Sequence, residues 1–233
     1  MRFLPALSLF FPLCAFIFSA CSSDNSATEN EEMTNVPFTR DVSIDTCLVI
    51  INESTDFCDW KKVFETMDDL RDKYGIEVVE LFQGKQDTNL TLSINNISSL
   101  DEADNFVNSE KLKSAMGDVF FSDATKLHFL DQQLKYTLET NDTLTMYMTF
   151  KTLNYDRWEK AFLDDYRENP TRDFEVVRVF RGVEEPNHVH MIFKVNDPQY
   201  IEKSEKNNAF KMKMLAAGVV SYPVTYKLQG VKI

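Results

Sequence analysis

Two histidines spaced two residues apart, His188 and His190, are the most chemically suggestive pair in this chain. Alternate residues of a β-strand share a face, so a strand here aims both imidazoles to one side, as metal ligands require. The chain has three histidines, and the remaining one, His128, falls on a different strand. Asn89 and Thr91 take the matching places in an earlier, related stretch, so internal symmetry adds no ligand. Too few donors converge for a metal or cofactor to be assigned, and the pair reads as a turn histidine and a strand histidine beside a small cavity. Six glycines form no phosphate-binding loop, Walker A sequence or nucleophile elbow. No cysteine pair has zinc spacing. A general base with an orienting partner is not readable either, which weighs against an enzyme.

These residues sit on a duplicated unit. Glu77-Val78-Val79-Glu80-Leu81-Phe82-Gln83-Gly84 matches Glu175-Val176-Val177-Arg178-Val179-Phe180-Arg181-Gly182 at an offset of 98 residues. Trp60 and Phe64 match Trp158 and Phe162 at the same offset, and Lys111-Leu112-Lys113 matches Lys211-Met212-Lys213 at an offset of 100. A repeat of this length is a duplicated domain rather than a solenoid unit. Glu80 and Arg178 carry opposite charge at equivalent positions. They read as independent solvated strand residues, because exposed ion pairs contribute little; complementarity across a pseudo-two-fold interface is the other reading.

Local patterns place the elements. Residues 46–51 are β-branched and apolar, a strand. Thr55 or Asp56 caps a helix whose Trp60, Phe64 and Met67 recur at helical spacing, a core face rather than a substrate-stacking site. Gly75 ends it, 77–83 and 90–95 pair as strands, Ser99 with Glu102 opens a second helix, and 125–130 closes the unit. The second unit repeats the order, with strands at 146–151, 174–181, 189–195 and 224–228. Its first helix spans 156–167, and a second starts at Asp197-Pro198 and ends at Gly218. Leu134, Tyr136 and Leu138 alternate in the connector and suggest an edge strand. Met212 and Met214 read as packing residues.

The order βαββαβ, twice, is ferredoxin-like, and each unit leaves one sheet face in need of cover. The fold class is therefore α+β: two tandem ferredoxin-like repeats closing into one pseudo-dimeric α+β barrel. Alternation assigns Leu90, Leu92, Ile94, Val189, Met191 and Phe193 to the helix-covered face. The opposite face holds Thr91, Ser93, His190, Ile192, Val49, Ile51, Tyr147 and Thr149. That face is mixed in polarity, and Tyr147, Thr149, His190 and Thr91 are its candidate ligand-cavity residues.

A resemblance strengthens this reading. Asn154-Tyr155-Asp156-Arg157-Trp158-Glu159-Lys160-Ala161-Phe162, then Arg178-Val179-Phe180-Arg181, then Glu185-Pro186-Asn187-His188-Val189 resemble the dimeric α+β barrel superfamily. The branch they resemble is related to antibiotic-biosynthesis monooxygenases. Gly182 and His188 stand where that pattern has Asp and Glu. The resemblance implies two units closing a barrel, here within one chain, and keeps a cofactor-independent monooxygenase-like enzyme as an alternative function.

The N-terminus sets the location. Arg2, an apolar run from Leu4 to Phe18, and Ser19-Ala20 before Cys21 make a cleavable signal. Phe18-Ser19-Ala20-Cys21 resembles a bacterial lipobox, which implies acylation of Cys21. Several acyl chains there would anchor the protein stably in membrane lipid, where one would not. The expected organisation is a signal at 1–20, an acidic flexible tether at 21–40, repeat 1 at 41–133, a connector at 134–142 and repeat 2 at 143–233. A net charge of −12 without a basic stripe excludes nucleic acid as a partner. Cys47 and Cys58 are expected as free thiols, because the strand after Cys47 carries the chain too far for a bridge. The function so read is a bacterial outer-membrane lipoprotein, on the periplasmic or surface face, binding a small apolar or mixed-polarity ligand inside a fused barrel. A structural or protein-interaction lipoprotein is the further alternative.

Overall fold

Apolar alternation and strong caps produce the elements of a computed structural model that describes residues 45–120, 125–135, 144–168, 174–197 and 199–232. The expected signal, the tether with Cys21, Tyr136, Leu138 and Pro198 lie outside these residues. The first half runs β1 (Thr46–Glu53), α1 (Phe57–Glu65), α2 (Asp68–Lys73), β2 (Ile76–Gly84), β3 (Leu90–Ile97), α3 (Leu100–Asn108), α4 (Glu110–Phe120) and β4 (Lys126–Lys135). The second runs β5 (Leu144–Lys151), α5 (Tyr155–Glu168), β6 (Phe174–Gly182), β7 (His188–Val195), α6 (Tyr200–Lys206), α7 (Asn208–Ala216) and β8 (Val224–Gly230).

Three helices expected as single pieces are broken in two, each for a local reason. Asp56 caps α1 by accepting from the Asp59 amide at 2.9 Å. The chain then breaks before α2, where the Phe64 carbonyl accepts from the Met67 amide at 3.2 Å and from the Arg71 guanidinium at 2.9 Å. Ser109 and Asn207, at equivalent places in the two halves, are extended residues that end one helix and cap the next. Ser109 Oγ accepts from Leu112, and Asn207 Oδ1 accepts from Ala209 and Phe210. Leu134 belongs to a β4 longer than expected rather than to a separate edge strand.

The eight strands make an antiparallel closed barrel in the order β1-β3-β2-β8-β5-β7-β6-β4. Two seams join the halves: Phe82↔Gly230 to Gly84↔Leu228 between β2 and β8, and Leu130↔Gly182 to Lys135↔Arg178 between β4 and β6. Bulges interrupt the register at Val78/Glu80 in β2 and at Val176/Arg178 in β6, matching positions in the two halves. Gly84 and Gly182 are also equivalent, and both are dictated by close approach. A Cβ on Gly84 would lie 2.2 Å from the Asp87 carbonyl oxygen, and one on Gly182 would lie 2.6 Å from that of Glu185.

The inside of the barrel is packed by Val49, Ile51, Leu92, Ile94, Leu130, Phe180, Ile192 and Leu228. Leu48 and Ile50, on the other face of β1, meet Trp60, Phe64, Leu70 and Phe106 beneath the helices. This corrects the assignment of β3. Leu90, Leu92 and Ile94 point into the barrel, and Thr91 and Ser93 alternate to the helix side. The reason is that the barrel interior is as apolar as the helix layer, so the apolar set of β3 fits either side, and a period of two exchanges all its side chains together. Leu90 and Leu92, not Asn89 and Thr91, correspond to His188 and His190: each pair opens the second strand of its hairpin. In β7 the assignment agrees with the structure, with Ile192 inside and Phe193 packed edge-to-face outside on Phe174.

Trp60 and Trp158 are buried and stack on Phe64 and Phe162 at 4.8 and 5.2 Å between ring centroids. Met212 is not a packing residue: it is 64 % exposed, and α7 buries no side chain. Cys47 is a buried free thiol and Cys58 an exposed one. No helix among the described residues is long and apolar enough to cross a membrane.

Candidate functional site

β7 carries His188 at its first position and His190 two residues later, so alternation sends both rings to the inner side, with centroids 4.3 Å apart. β4 supplies His128, register-paired with Val49 of β1. Its ring centroid is 4.7 Å from that of His190 and 5.8 Å from that of His188. One nitrogen from each ring can be chosen so that all three lie within 4.8 Å of one another. These are the only histidines in the sequence, and they come from both halves of the chain.

His190 has one ring nitrogen engaged by an oxygen, and His188 has both. His190 Nδ1 is 2.6 Å from Tyr147 Oη, and both residues are fully buried. His190 Nε2 is buried with no hydrogen-bond partner among the described residues. Such an orphaned buried polar atom costs about 1–3 kcal/mol and calls for an explanation. His188 Nδ1 is 3.2 Å from Glu185 Oε2, and its Nε2 is 2.7 Å from Thr149 Oγ1. Glu185 is held in turn by Lys151 Nζ at 2.8 Å. The β5·β7 register explains the arrangement, since Thr149 pairs with His190 and Lys151 with His188.

The three rings are uncharged at neutral pH. Burial pushes His190 down to about 2 and His128 to about 4, with neighbouring imidazoles adding to the effect, and burial also lowers His188. Burial holds the Tyr147 phenol well above its ordinary range, so it keeps its proton. Neutral imidazole is the form that coordinates metals. Nearby, Lys126 Nζ donates to Tyr226 Oη at 3.0 Å, and Tyr226 packs 6.1 Å from the Tyr147 ring.

A second polar group spans the barrel. Arg178 donates to Glu80 Oε1 at 2.9 Å and reaches Gln132 Oε1 at 3.4 Å. The Arg178 side chain is 8 % exposed, so the expectation that this residue and Glu80 are independent and solvated is wrong. The bulges turn both residues inward, opposite Ile192 and Ile94.

Of the residues singled out as candidates, Tyr147, Thr149 and His190 come together here. Thr91 does not: it faces the helix side, where its hydroxyl donates to the Asn52 carbonyl at 3.4 Å. Sequence reasoning did not join His128 to the pair. The available signal was alternation with the apolar Leu130, which places His128 on the inner face of its strand.

No protein-family model matches the chain, and no curated protein matches it in sequence. Solved structures do match it. An anthrone oxidase-like protein aligns at 16 % identity with a TM-score of 0.59, covering 84 % of this chain and 95 % of that one. Chlorite dismutase from Candidatus Nitrospira defluvii aligns at 9 % identity, TM-score 0.47, over 80 % and 91 % of the two chains. A heme-binding protein from Thermus thermophilus aligns at 10 % identity, TM-score 0.44, over 83 % and 94 %. The likeness is one of fold: this chain is a mixed α+β protein with an eight-stranded antiparallel sheet, and its neighbours are of the dimeric α+β barrel type.

Proposed function

We propose that the protein is a membrane-tethered binding module, built from two fused ferredoxin-like units, whose ligand site is the histidine cluster of the barrel. One observation carries the reading: all three imidazoles of the chain converge, and one of them, His190, holds a buried Nε2 with no hydrogen-bond partner among the described residues. The barrel's middle is filled by apolar side chains and by the Arg178–Glu80 pair, so the ligand is small and sits among the histidines rather than along the axis.

Fusion of two units is supported by the equivalent bulges, glycines and helix-breaking caps in the two halves, and by the seams β2·β8 and β4·β6 between them. Tethering through Cys21 is supported by the apolar run and the small residues that precede it. Native mass spectrometry of the chain purified from its own membrane tests the binding reading. A bound species is expected, and a bare chain mass overturns it. Acyl labelling tests the tether: label is expected on the native chain and absent from Cys21→Ala, and equal labelling of both refutes lipidation.

A second reading, an oxygenase-type enzyme, is favoured by the likeness to the anthrone oxidase-like protein. It predicts oxygen consumption with an anthrone as substrate; a chain that binds an anthrone without consuming oxygen is a binder only.

A further inference from the structure

We propose that His128, His188 and His190 are the ligands of a first-row transition-metal ion, and that Tyr147 is a positioning residue that orients His190 for it. This rests on the binding-module reading and names the ligand class of the same site.

The donor set comes first. Three imidazole nitrogens, with no thiolate among them, suit zinc, copper, cobalt or nickel rather than magnesium or calcium. Three protein ligands also leave a position open, as in metal sites that hold water or a substrate. Thr149 Oγ1, 2.7 Å from His188 Nε2, is the protein oxygen beside it. In a tetrahedral site with metal–nitrogen bonds of about 2.0–2.1 Å the nitrogens stand roughly 3.3 Å apart. The present spread of up to 4.8 Å is therefore a slightly open form of such a site. His128 and His188 are only partly buried, which gives both room to rotate inward and gives the ion a way in.

The outer contacts point the same way. Metal-bound histidines use one nitrogen for the metal and donate the other N–H to an oxygen, which fixes tautomer and ring orientation. Glu185 Oε2 lies by His188 Nδ1 at 3.2 Å, and Tyr147 Oη by His190 Nδ1 at 2.6 Å. With both Nδ1 protons given to these oxygens, both Nε2 atoms carry lone pairs; that of His188 accepts from the Thr149 hydroxyl at 2.7 Å, which must turn away when the ion binds. The buried, unpartnered His190 Nε2 is then an empty coordination position rather than an unexplained cost.

The test is made on the full chain in detergent, stripped with a chelator and titrated with Cu²⁺ or Co²⁺. The chain has three histidines, so imidazole-nitrogen couplings in the Cu²⁺ electron paramagnetic resonance spectrum report on this site alone. One ion per chain with three nitrogens is expected, and His190→Ala should leave two. Tyr147→Phe should weaken affinity by about 10–100-fold with the nitrogen count unchanged, whereas a purely structural role would lower the melting temperature and spare the affinity. Glu185→Gln, on the exposed hairpin, provides the same test without altering the core. Absence of binding, or a nitrogen count that His190→Ala does not change, overturns the proposal. Native mass spectra separate the two readings. An organic ligand without metal defeats this inference and leaves the binding module standing, whereas a chain that takes up neither defeats both.

Discussion

Removing Glu80 should cost stability out of proportion to its position on a sequence map. Its carboxylate is the charged partner of Arg178, whose side chain is 8 % exposed, while Glu80 itself is 30 % exposed. Taking one partner from a fully buried pair costs about 3–5 kcal/mol, because the other charge is left in a poor solvent. Glu80 keeps some contact with water, and Gln132 gives Arg178 a second acceptor, so about 2 kcal/mol is expected for Glu80→Gln. For a chain of this size that lowers the melting temperature by about 4–8 °C. The double variant Glu80→Met/Arg178→Leu should recover most of the loss, since apolar residues of similar volume replace buried pairs well. Urea unfolding of Glu80→Met, Arg178→Leu and the double variant, followed by circular dichroism, measures the coupling directly. A coupling energy below about 0.5 kcal/mol would mean that the residues act independently, and the placement of an ion pair across the barrel would be wrong.

Acid should destabilise the metal-free barrel through its histidines. His128 sits at about 4 when folded against 6.5 when free, so between these values the unfolded chain binds a proton that the folded chain does not. Stability is therefore complete above pH 6.5 and falls as pH drops, by roughly 3 kcal/mol at pH 4 from this residue alone. Denaturant midpoints that stay flat from about pH 7 to about 4.5 would refute the burial of the cluster. Gly84→Ala should cost about 1–3 kcal/mol, because its Cβ meets the Asp87 backbone oxygen at 2.2 Å and backbone cannot swing aside; an unchanged melting curve refutes that tight hairpin. Iodoacetamide should modify the exposed Cys58 quickly and spare Cys47 until the chain unfolds, since burial pushes the Cys47 thiol up to about 12. Equal rates by mass spectrometry, or a Cys47–Cys58 cross-linked peptide, would contradict the position of β1 and α1.

The strands and helices themselves were legible because their determinants are local. A β-branched apolar run marked β1, apolar alternation marked β3 and β7, and Ser99 opened α3 where its side chain accepts from the Glu102 amide. Trp60 and Phe64 declared a buried helix face through spacing alone. The helix breaks were less visible. Ser109 and Asn207 are ordinary polar residues inside long helical patterns, and their role as caps shows only when the chain turns there.

What the amino-acid sequence alone determined was the order of elements, the internal match of the two halves and the inward direction of Tyr147, Thr149 and His190. The order and the direction follow from periods of two or 3.6 residues within a few turns of chain. The tertiary structure decided three other things. It set the face of β3, because a one-residue register choice exchanges all its side chains and the apolar pattern of that strand fits either layer. It joined Arg178 to Glu80, because only a closed barrel with bulges in β2 and β6 brings these strands face to face. It added His128 to His188 and His190, because β4 and β7 both flank β6 in the closed sheet, so their inward side chains meet over a separation in sequence that no local pattern records.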